Sequence, residues 1–527
     1  MTRSETSSDP ADAGLPPAPA GVRPAELLLL LSVLVVAGCG LVYELCAGAL
    51  SSYLLGDSVL QFSTVIGAYL FAMGVGSWLS KYVEGALVDT FIRVELMVGL
   101  IGGAMPAGLF LMHSVSPAPF RVLLYGWVGV IGVLVGLEIP LVMRILGKHT
   151  AQRQGLKDLV AQVLTFDYLG ALAVSVAFPL LLVPHLGLAR TGFFFGLLNA
   201  MVALWACWLF KAQLRHARRR AAEVLAGCAL LVAGLFAADA ITAWSEDRFY
   251  VDRIVYKAQS DYQRVVITQG TAGTKLFLNG NLQFSERDEY RYHEALVHPA
   301  MSAHGGPRRV LVLGGGDGLA VREILRYPSV EAVTLVDLDP HITRLFKEEP
   351  PLRALNRDAL RSPKVQVVNA DAFGWLEQHD ERYDVIVVDF PDPSNFAVGK
   401  LYTLSFDRLL ASHLSESGFA VVQTTSPLVA RRSFWTVATT LEAAGLQVRP
   451  YHAHVPSFGE WGFILASHRP WPGPKQWPSG LRFLTPEALP ALFQFPADMS
   501  RVPTEVNRLS NQVLVREFEE EWGRVAH

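Results

Sequence analysis

Residues 310–325 read VLVLGGGDGLAVREIL. An apolar run makes a buried strand, three glycines break it, and a helical pattern follows with Asp317 at the turn. Strand, glycine turn and helix in that order open a β/α unit. The glycines allow a close backbone approach, either to a ligand or only to a packed helix. An acid at the tip would repel a phosphate, so such a ligand should be cationic where it meets Asp317.

The same rhythm repeats downstream. VEAVTLVDLD (330–339), KVQVVNADAFGWL (364–376), YDVIVVDFPDP (383–393) and GFAVVQTTSP (418–427) are four more apolar strands, several ending in acids. Near-continuous Val, Ile and Leu imply burial on both faces, hence a Rossmann-like parallel sheet with helices on each side. Ligands of such sheets lie across the carboxyl ends of the strands. Asp317, Asp337, Asp339, Asp371, Asp389, Asp392 and Gln423 all fall there.

Upstream, DYQRVVITQG (261–270) and TKLFLNGNLQF (274–284) alternate with the period of half-buried strands, and Asn279-Gly280 is a type I′ turn signal. Residues 246–285 therefore read as a small antiparallel β-hairpin lid. Residues 286–475 read as the α/β domain, entered through a helix over 285–301, and 476–527 as a C-terminal extension.

The first half has a different character. Residues 1–24 are rich in Ser, Pro and Ala and read as a disordered tail. Seven apolar stretches follow, near 26–50, 59–80, 92–114, 119–144, 160–183, 190–211 and 221–244. Each is long enough to cross a hydrocarbon layer of roughly 30 Å. The expectation is a multispan α-helical membrane domain over 25–245. Lys and Arg concentrate after the fourth and sixth stretches, in 144–157 and 211–220. The positive-inside rule puts those links and the N-terminus in the cytoplasm, which with seven spans sends the C-terminal half outside. Glu44, Glu95, Glu138 and Asp167 lie in or beside the spans, each costing roughly 3 kcal/mol on insertion scales. They either pair near an interface or line a polar site for a cation. Glu95, with Arg93 close by, is the weakest candidate for the latter.

Composition narrows the classes. A net charge of -3 argues against a nucleic-acid partner. All four cysteines lie in apolar runs without CxxC spacing, so neither a zinc site nor a disulfide framework is expected.

The acids suggest a chemistry. Asp337, about twenty residues past the glycines, suits the two hydroxyls of a ribose. Asp371 suits an adenine amino group, or is only the N-cap of the next helix. Asp389 and Asp392 sit in a proline-rich turn, where they are either turn formers or side chains aimed into the crevice. With Asp317 they form an acidic pocket, which wants an ammonium group on an adenosine-linked molecule lacking a carboxylate.

Taken together, YQ…LNGNLQFSERDEYRYHEALVHP…VLVLGGGDGLAVRE…VDLD…NADAF…YDVIVVDFPDP closely resembles the polyamine aminopropyltransferases, or spermidine synthases, over about 250–470. The spans and the segment 481–499 resemble a bacterial membrane-fused subgroup. The resemblance implies a methyltransferase-type sheet and transfer of an aminopropyl group from decarboxylated S-adenosylmethionine to putrescine, giving spermidine and methylthioadenosine. No metal or resident cofactor is implied. It assigns the thioadenosine to Gln263, the ribose to Asp337, and the adenine to Asp371 with Ala372 alongside. It gives the aminopropyl ammonium to Asp317, the polyamine walls to Tyr292 and His293, the proton to Asp389 and the far ammonium to Asp392. Two positions depart from the pattern. Asp407 stands where the family usually has an aromatic, and Phe458 where many soluble members have a tyrosine, which leaves the acceptor amine open.

Two other functions share these features: a methyltransferase using intact S-adenosylmethionine, and a membrane transporter or sensor that binds polyamine without turning it over. The acids oppose the first, because a methionine carboxylate would face negative charge. An intact Asp389 opposes the second. A nucleoside co-substrate favours a cytoplasmic catalytic domain against the charge bias, in a multi-pass cell-membrane protein that forms a homo-oligomer.

Overall fold

A computed structural model describes residues 24–55, 58–115, 120–150, 156–260 and 262–524. The tail expected over 1–24 lies outside the described residues except for Pro24. The chain divides into two compact units. One runs to Leu50 and takes up again over Ser63–Ser245; the other comprises Ser51–Phe62 and the chain from Glu246 onward.

The first unit is built from α1 (Pro24–Leu55), α2 (Ser58–Leu79), α3 (Leu87–Val115), α4 (Phe120–Thr150), α5 (Leu156–Ala177), α6 (Val183–Leu209) and α7 (Ala217–Phe249). Among the described residues, six helical stretches are long and apolar enough to cross a membrane by length and composition. The expected seven separate stretches need one correction. The fifth and sixth run on as Lys157–Leu209, a stretch of 53 residues. Its middle holds a π-helical segment, Phe178–Leu182, and a break at Gly187 (φ 72°, ψ 170°). Residues 178–189 contain no Lys, Arg, Asp or Glu. In so apolar a link, helical hydrogen bonding satisfies the backbone better than an open loop does.

The second unit opens with β1 (Arg253–Gln259), β2 (Arg264–Gly270), β3 (Gly273–Leu278) and β4 (Asn281–Ser285), an antiparallel sheet in sequential order. The lid is thus a four-stranded sheet rather than a hairpin. Its first strand, RIVYKAQ, keeps a half-buried alternation interrupted by Arg253 and Lys257, which gives little apolar signal. Asn279 (φ 50°) and Gly280 (φ 83°) make the expected tight turn between β3 and β4.

The main sheet contains β5 (Arg309–Gly314), β6 (Ala332–Asp337), β7 (Val365–Asn369), β8 (Tyr383–Asp389), β9 (Leu414–Thr424), β10 (Gln447–Val455) and β11 (Gly459–Ser467). Its order is β10-β11-β9-β8-β5-β6-β7. The five expected strands are parallel, but β11 pairs antiparallel with both β9 and β10, so the sheet is mixed. The last two strands form a hairpin at one edge, where Pro450 is tolerated because an edge strand need not donate on both sides.

Alternate residues of the central strands face opposite cores. Val310, Val312, Val385 and Val387 pack with Leu296 and Ala300 of α8 (Glu289–His304) and with Val265, Leu276 and Phe284 of the lid. Leu311, Leu313, Ile386 and Val388 pack on the other side with Phe406, Leu410, Phe434 and Leu441. The chain after 476 is stitched to this body. Buried Glu294 of α8 accepts the backbone N–H groups of Arg482, Phe483 and Leu484 at 2.8, 2.8 and 2.9 Å.

Candidate active site

After β5 the chain adds β6 and β7 on one side and β8 and β9 on the other. Strand order therefore reverses between β5 and β8, and a crevice opens at their carboxyl ends. Gly314 and Asp389 are register partners at that point. Gly314 has φ 80°, and a Cβ built there would lie 2.3 Å from the Asp389 carbonyl oxygen. The first glycine is needed for contact with β8 as well as for its dihedral. The loop continues past Gly316, whose N–H donates to Asp337 Oδ2 at 3.0 Å, while the N–H of Asp339 donates to Oδ1 at 2.9 Å. Asp317 then turns the chain into α9 (Leu319–Ile324), its Oδ1 accepting the Leu319 N–H at 2.9 Å.

The acids expected to carry chemistry gather here. The Tyr292 hydroxyl of α8 donates to Asp389 Oδ1 at 2.6 Å. Burial pushes the Asp389 carboxyl up to about 6, with His293 opposing and the charge of Asp317 adding to the rise. Burial alone raises Asp392 to about 7. Asp392 Oδ1 is enclosed and has no hydrogen-bond partner among the described residues. Burial also raises Asp317, against the pull of His293 and the Leu319 amide. Asp337 rises to about 6 by burial, opposed by its two amide donors. Desolvation disfavours the charged form of every one of these carboxyls, so a cation brought among them would be held strongly.

Gln423, expected at the crevice, joins two residues outside the expected set in holding the Asp389–Asp392 turn in place. The Tyr402 hydroxyl donates to the Pro391 carbonyl at 3.1 Å. The Gln423 side-chain amide donates to the Phe390 carbonyl and to the Tyr402 oxygen. Trp461 Nε1 donates to Gln423 Oε1 at 3.1 Å. Tyr402 and Trp461 were not singled out in the sequence, because an interior tyrosine and tryptophan look like core until their partners are known.

A second buried set lies under His293. Its Nδ1 sits 2.8 Å from Glu289 Oε2, and Arg322 clasps Glu289 through two contacts of 3.0 and 2.9 Å. Burial alone would raise Glu289, but His293 and Arg322 hold it down at about 2. Burial pushes His293 down, yet Glu289 overrides it and leaves the imidazole above its ordinary value. Glu289 thus favours the protonated imidazole, which in turn opposes the rise of the Asp317 and Asp389 carboxyls. Glu289 and Arg322 also escaped the sequence reading, since their helices come together only in the fold.

The segment 289–472 matches the family model of the spermine/spermidine synthase domain. Over 527 aligned residues the chain is 56% identical to polyamine aminopropyltransferase 1 of Ralstonia nicotianae, covering 98% of this chain and 99% of that one. It is 51% identical to the polyamine aminopropyltransferase of Leptospira interrogans over 500 residues, covering 95% and 99%. The chain belongs to the polyamine aminopropyltransferase family. A crystal structure of a spermidine synthase in complex with the transition-state analogue AdoDATO is 27% identical, covering 46% of this chain and 86% of that one at a TM-score of 0.44.

Other expected aminopropyltransferase positions have partners of their own. Gln263 Nε2 donates to Asp339 Oδ2 at 2.9 Å, and Asp339 caps α10 (Pro340–Glu348). Asp371 caps the helix Ala372–Glu377 through the Gly374 N–H at 3.0 Å, which is the plainer of its two readings. Its other oxygen takes Lys400 Nζ at 2.7 Å. Burial raises this carboxyl, but Lys400 and the backbone donors bring it below its ordinary value. Ala372 is buried at the first turn of that helix. Of the departures from the family pattern, Phe458 stands edge-on to Tyr292 with ring centroids 6.2 Å apart. Asp407 is buried, with Oδ2 unpartnered among the described residues. An open cleft of about 720 Å³, lined by Thr271, Glu286, Arg287, Arg322 and Arg357 among others, contains neither Asp389 nor Asp392.

Proposed function

We propose that this protein transfers the aminopropyl group of decarboxylated S-adenosylmethionine to putrescine. The amine nitrogen attacks the methylene carbon beside the sulfonium. A C–N bond forms, the C–S bond breaks, and its electron pair leaves with sulfur as neutral methylthioadenosine. Putrescine is mostly diprotonated near neutral pH, its amines resembling lysine with a pKa around 10. One nitrogen must lose a proton before it attacks. Asp389, raised towards neutrality and fixed by Tyr292, accepts that proton. Asp392 anchors the far ammonium, and Asp317 meets the ammonium of the aminopropyl arm. Asp337 holds the ribose, with Gln263, Asp371 and Ala372 around the base, while Tyr292 and His293 wall the amine channel. What remains is alignment of nucleophile and carbon.

The observation that carries this reading is the set of half-buried carboxyls around Asp389, with the enclosed Asp392 Oδ1 lacking a partner among the described residues. A methyl donor bearing a carboxylate would meet repulsion there. The decisive test incubates purified protein with decarboxylated or intact S-adenosylmethionine and a panel of amines: putrescine, cadaverine, agmatine and spermidine. Release of methylthioadenosine is expected with putrescine, with the decarboxylated nucleoside preferred by about 100-fold or more, since like charges facing each other cost several kcal/mol. Equal use of both nucleosides would sink the reading.

The helical unit is proposed to span the cell membrane, with the catalytic unit in the cytoplasm. Large apolar side chains turned outward support this, among them Phe71 (75% exposed), Val122 (76%) and Phe236 (82%). In water such a surface would be a large apolar patch, whereas in lipid it is the natural exterior.

A further inference from the structure

Helices α1, α2, α3, α4 and α5 enclose a cavity of about 170 Å³ within the first unit. Glu44 from α1, Glu138 from α4 and Asp167 from α5 all line it, far apart in sequence. The rest of the wall is mainly apolar, with Val36, Met73 and Val135 among its members. We infer that this cavity is a binding site for an aliphatic amine carrying two or more ammonium groups, separate from the site at Asp389.

The first ground is an unpaired buried acid. Glu138 is 2% exposed, lines the cavity, and keeps Oε1 enclosed without a hydrogen-bond partner among the described residues. Leaving a buried polar group unmet costs free energy that a ligand with a donor would recover. The second ground is contrast. Acids nearer the helix ends are paired: Asp89 holds Arg93 at 3.1 Å and Arg220 at 2.9 Å, and Arg190 reaches Asp239. Even Glu95, expected to lean on Arg93, instead accepts Asn199 Nδ2 at 2.7 Å, and Tyr43 donates to the same asparagine at 3.0 Å. Glu95 keeps its Oε1 enclosed and unmet as well, but Asn199 meets its Oε2, whereas no hydrogen bond or ion pair meets Glu44, Glu138 or Asp167 among the described residues.

The third ground is shape. Close helix contacts fix the walls: a Cβ at Gly136 of α4 would lie 2.1 Å from the Met73 carbonyl oxygen of α2. The Tyr69 hydroxyl is tied to the Gly40 carbonyl at 2.9 Å, so it braces α1 against α2. The carboxylates share the cavity, and among the described residues no three acids, histidines or cysteines converge as a metal-ion cluster. A divalent ion needs oxygens converging on one point. Spaced carboxylates with apolar walls between them suit methylene chains ending in ammonium groups. The choice of amine rests on the aminopropyltransferase reading of the second unit; the cation site does not.

The test measures equilibrium binding of radiolabelled spermidine to the full-length protein in lipid nanodiscs, in an Asp392→Asn background that silences the soluble site. Binding above empty nanodiscs is expected, undisplaced by excess sodium. Glu138→Gln added to that background should weaken it by about 30-fold or more, the usual effect of removing one partner of a buried charged pair. Asp167→Asn serves as a second variant if Glu138→Gln misfolds, and folding is judged by methylthioadenosine release from each single variant. No binding in the Asp392→Asn protein, or unchanged binding in both double variants, overturns the inference. A parent that releases no methylthioadenosine yet still binds spermidine through Glu138 would overturn the soluble reading and leave this one standing.

Discussion

Asp389 and Asp392 are three positions apart, yet the turn gives them different surroundings. Asp389 accepts a short hydrogen bond from Tyr292, whereas one oxygen of Asp392 has none among the described residues. Replacing Asp389 by Asn removes the proposed proton acceptor and keeps the shape. Turnover should fall by about 100-fold or more while the nucleoside still binds, as separate rate and calorimetric measurements would reveal. Near-normal turnover would exclude Asp389 as the base. Asp392→Asn tests electrostatics instead. Its folded value, about 7, is above the ordinary carboxyl value, so the native state binds the proton more tightly than the unfolded state does. This penalty is absent at low pH, grows as pH rises from about 4, and is complete above about 7. The amine-free Asp392→Asn protein should thus melt higher than the parent at pH 8 and equally at pH 4. The parent's activity should also fall as pH drops through 7 to 6, where Asp392 and then Asp389 take up protons.

At the scale of elements, the glycine turn and the end of β8 act as one piece. Gly314→Ala puts a methyl group against the Asp389 carbonyl at φ 80°, a contact the backbone can relieve only by moving β8. Loss of activity larger than loss of melting temperature is expected, since the displaced group carries the base. Much of this was legible beforehand. Five strands declared themselves through unbroken Val, Ile and Leu, and their polar ends marked the crevice. The β10–β11 hairpin did not, because QVRPYHAHV breaks its apolar run with Arg449, Pro450 and two histidines. β1 stayed hidden for a similar reason. The acids of the site were visible as types at strand ends, but their supports were not. Glu289 and Arg322 lie 33 residues apart, and Tyr402 and Gln423 meet only around a folded turn. Sequence periodicity reports which face is buried; it does not report which buried polar groups find each other. Asp371 shows the converse, since its capping role was readable from position alone.

Across the whole molecule, the division at Glu246 separates two kinds of surface. The chain from Glu246 onward contains the lid, the full main sheet and every carboxyl assigned to the reaction. The fully buried members of its two cores all lie at 265 or beyond, with Tyr256 packed against the first. Glu294 and the segment 482–484 close it at the back, and Trp522 donates to Thr425 at 2.9 Å near the end of the chain. None of these contacts draws on α1 to α6, and the one part of the unit that lies before Glu246 is the short stretch Ser51–Phe62. A fragment beginning at Glu246 should therefore express as a folded, monodisperse protein in the absence of detergent. It should release methylthioadenosine at a rate comparable with the full-length protein in nanodiscs, because neither the proposed proton acceptor nor the proposed ammonium anchors have been removed. The fragment lacks Glu138, so equal activity would also separate catalysis from the cavity of the helical unit. A fragment that folds, by circular dichroism and a cooperative melt, yet stays inactive would mean that the helical unit completes the amine site, and the two units would then have to be read as one enzyme.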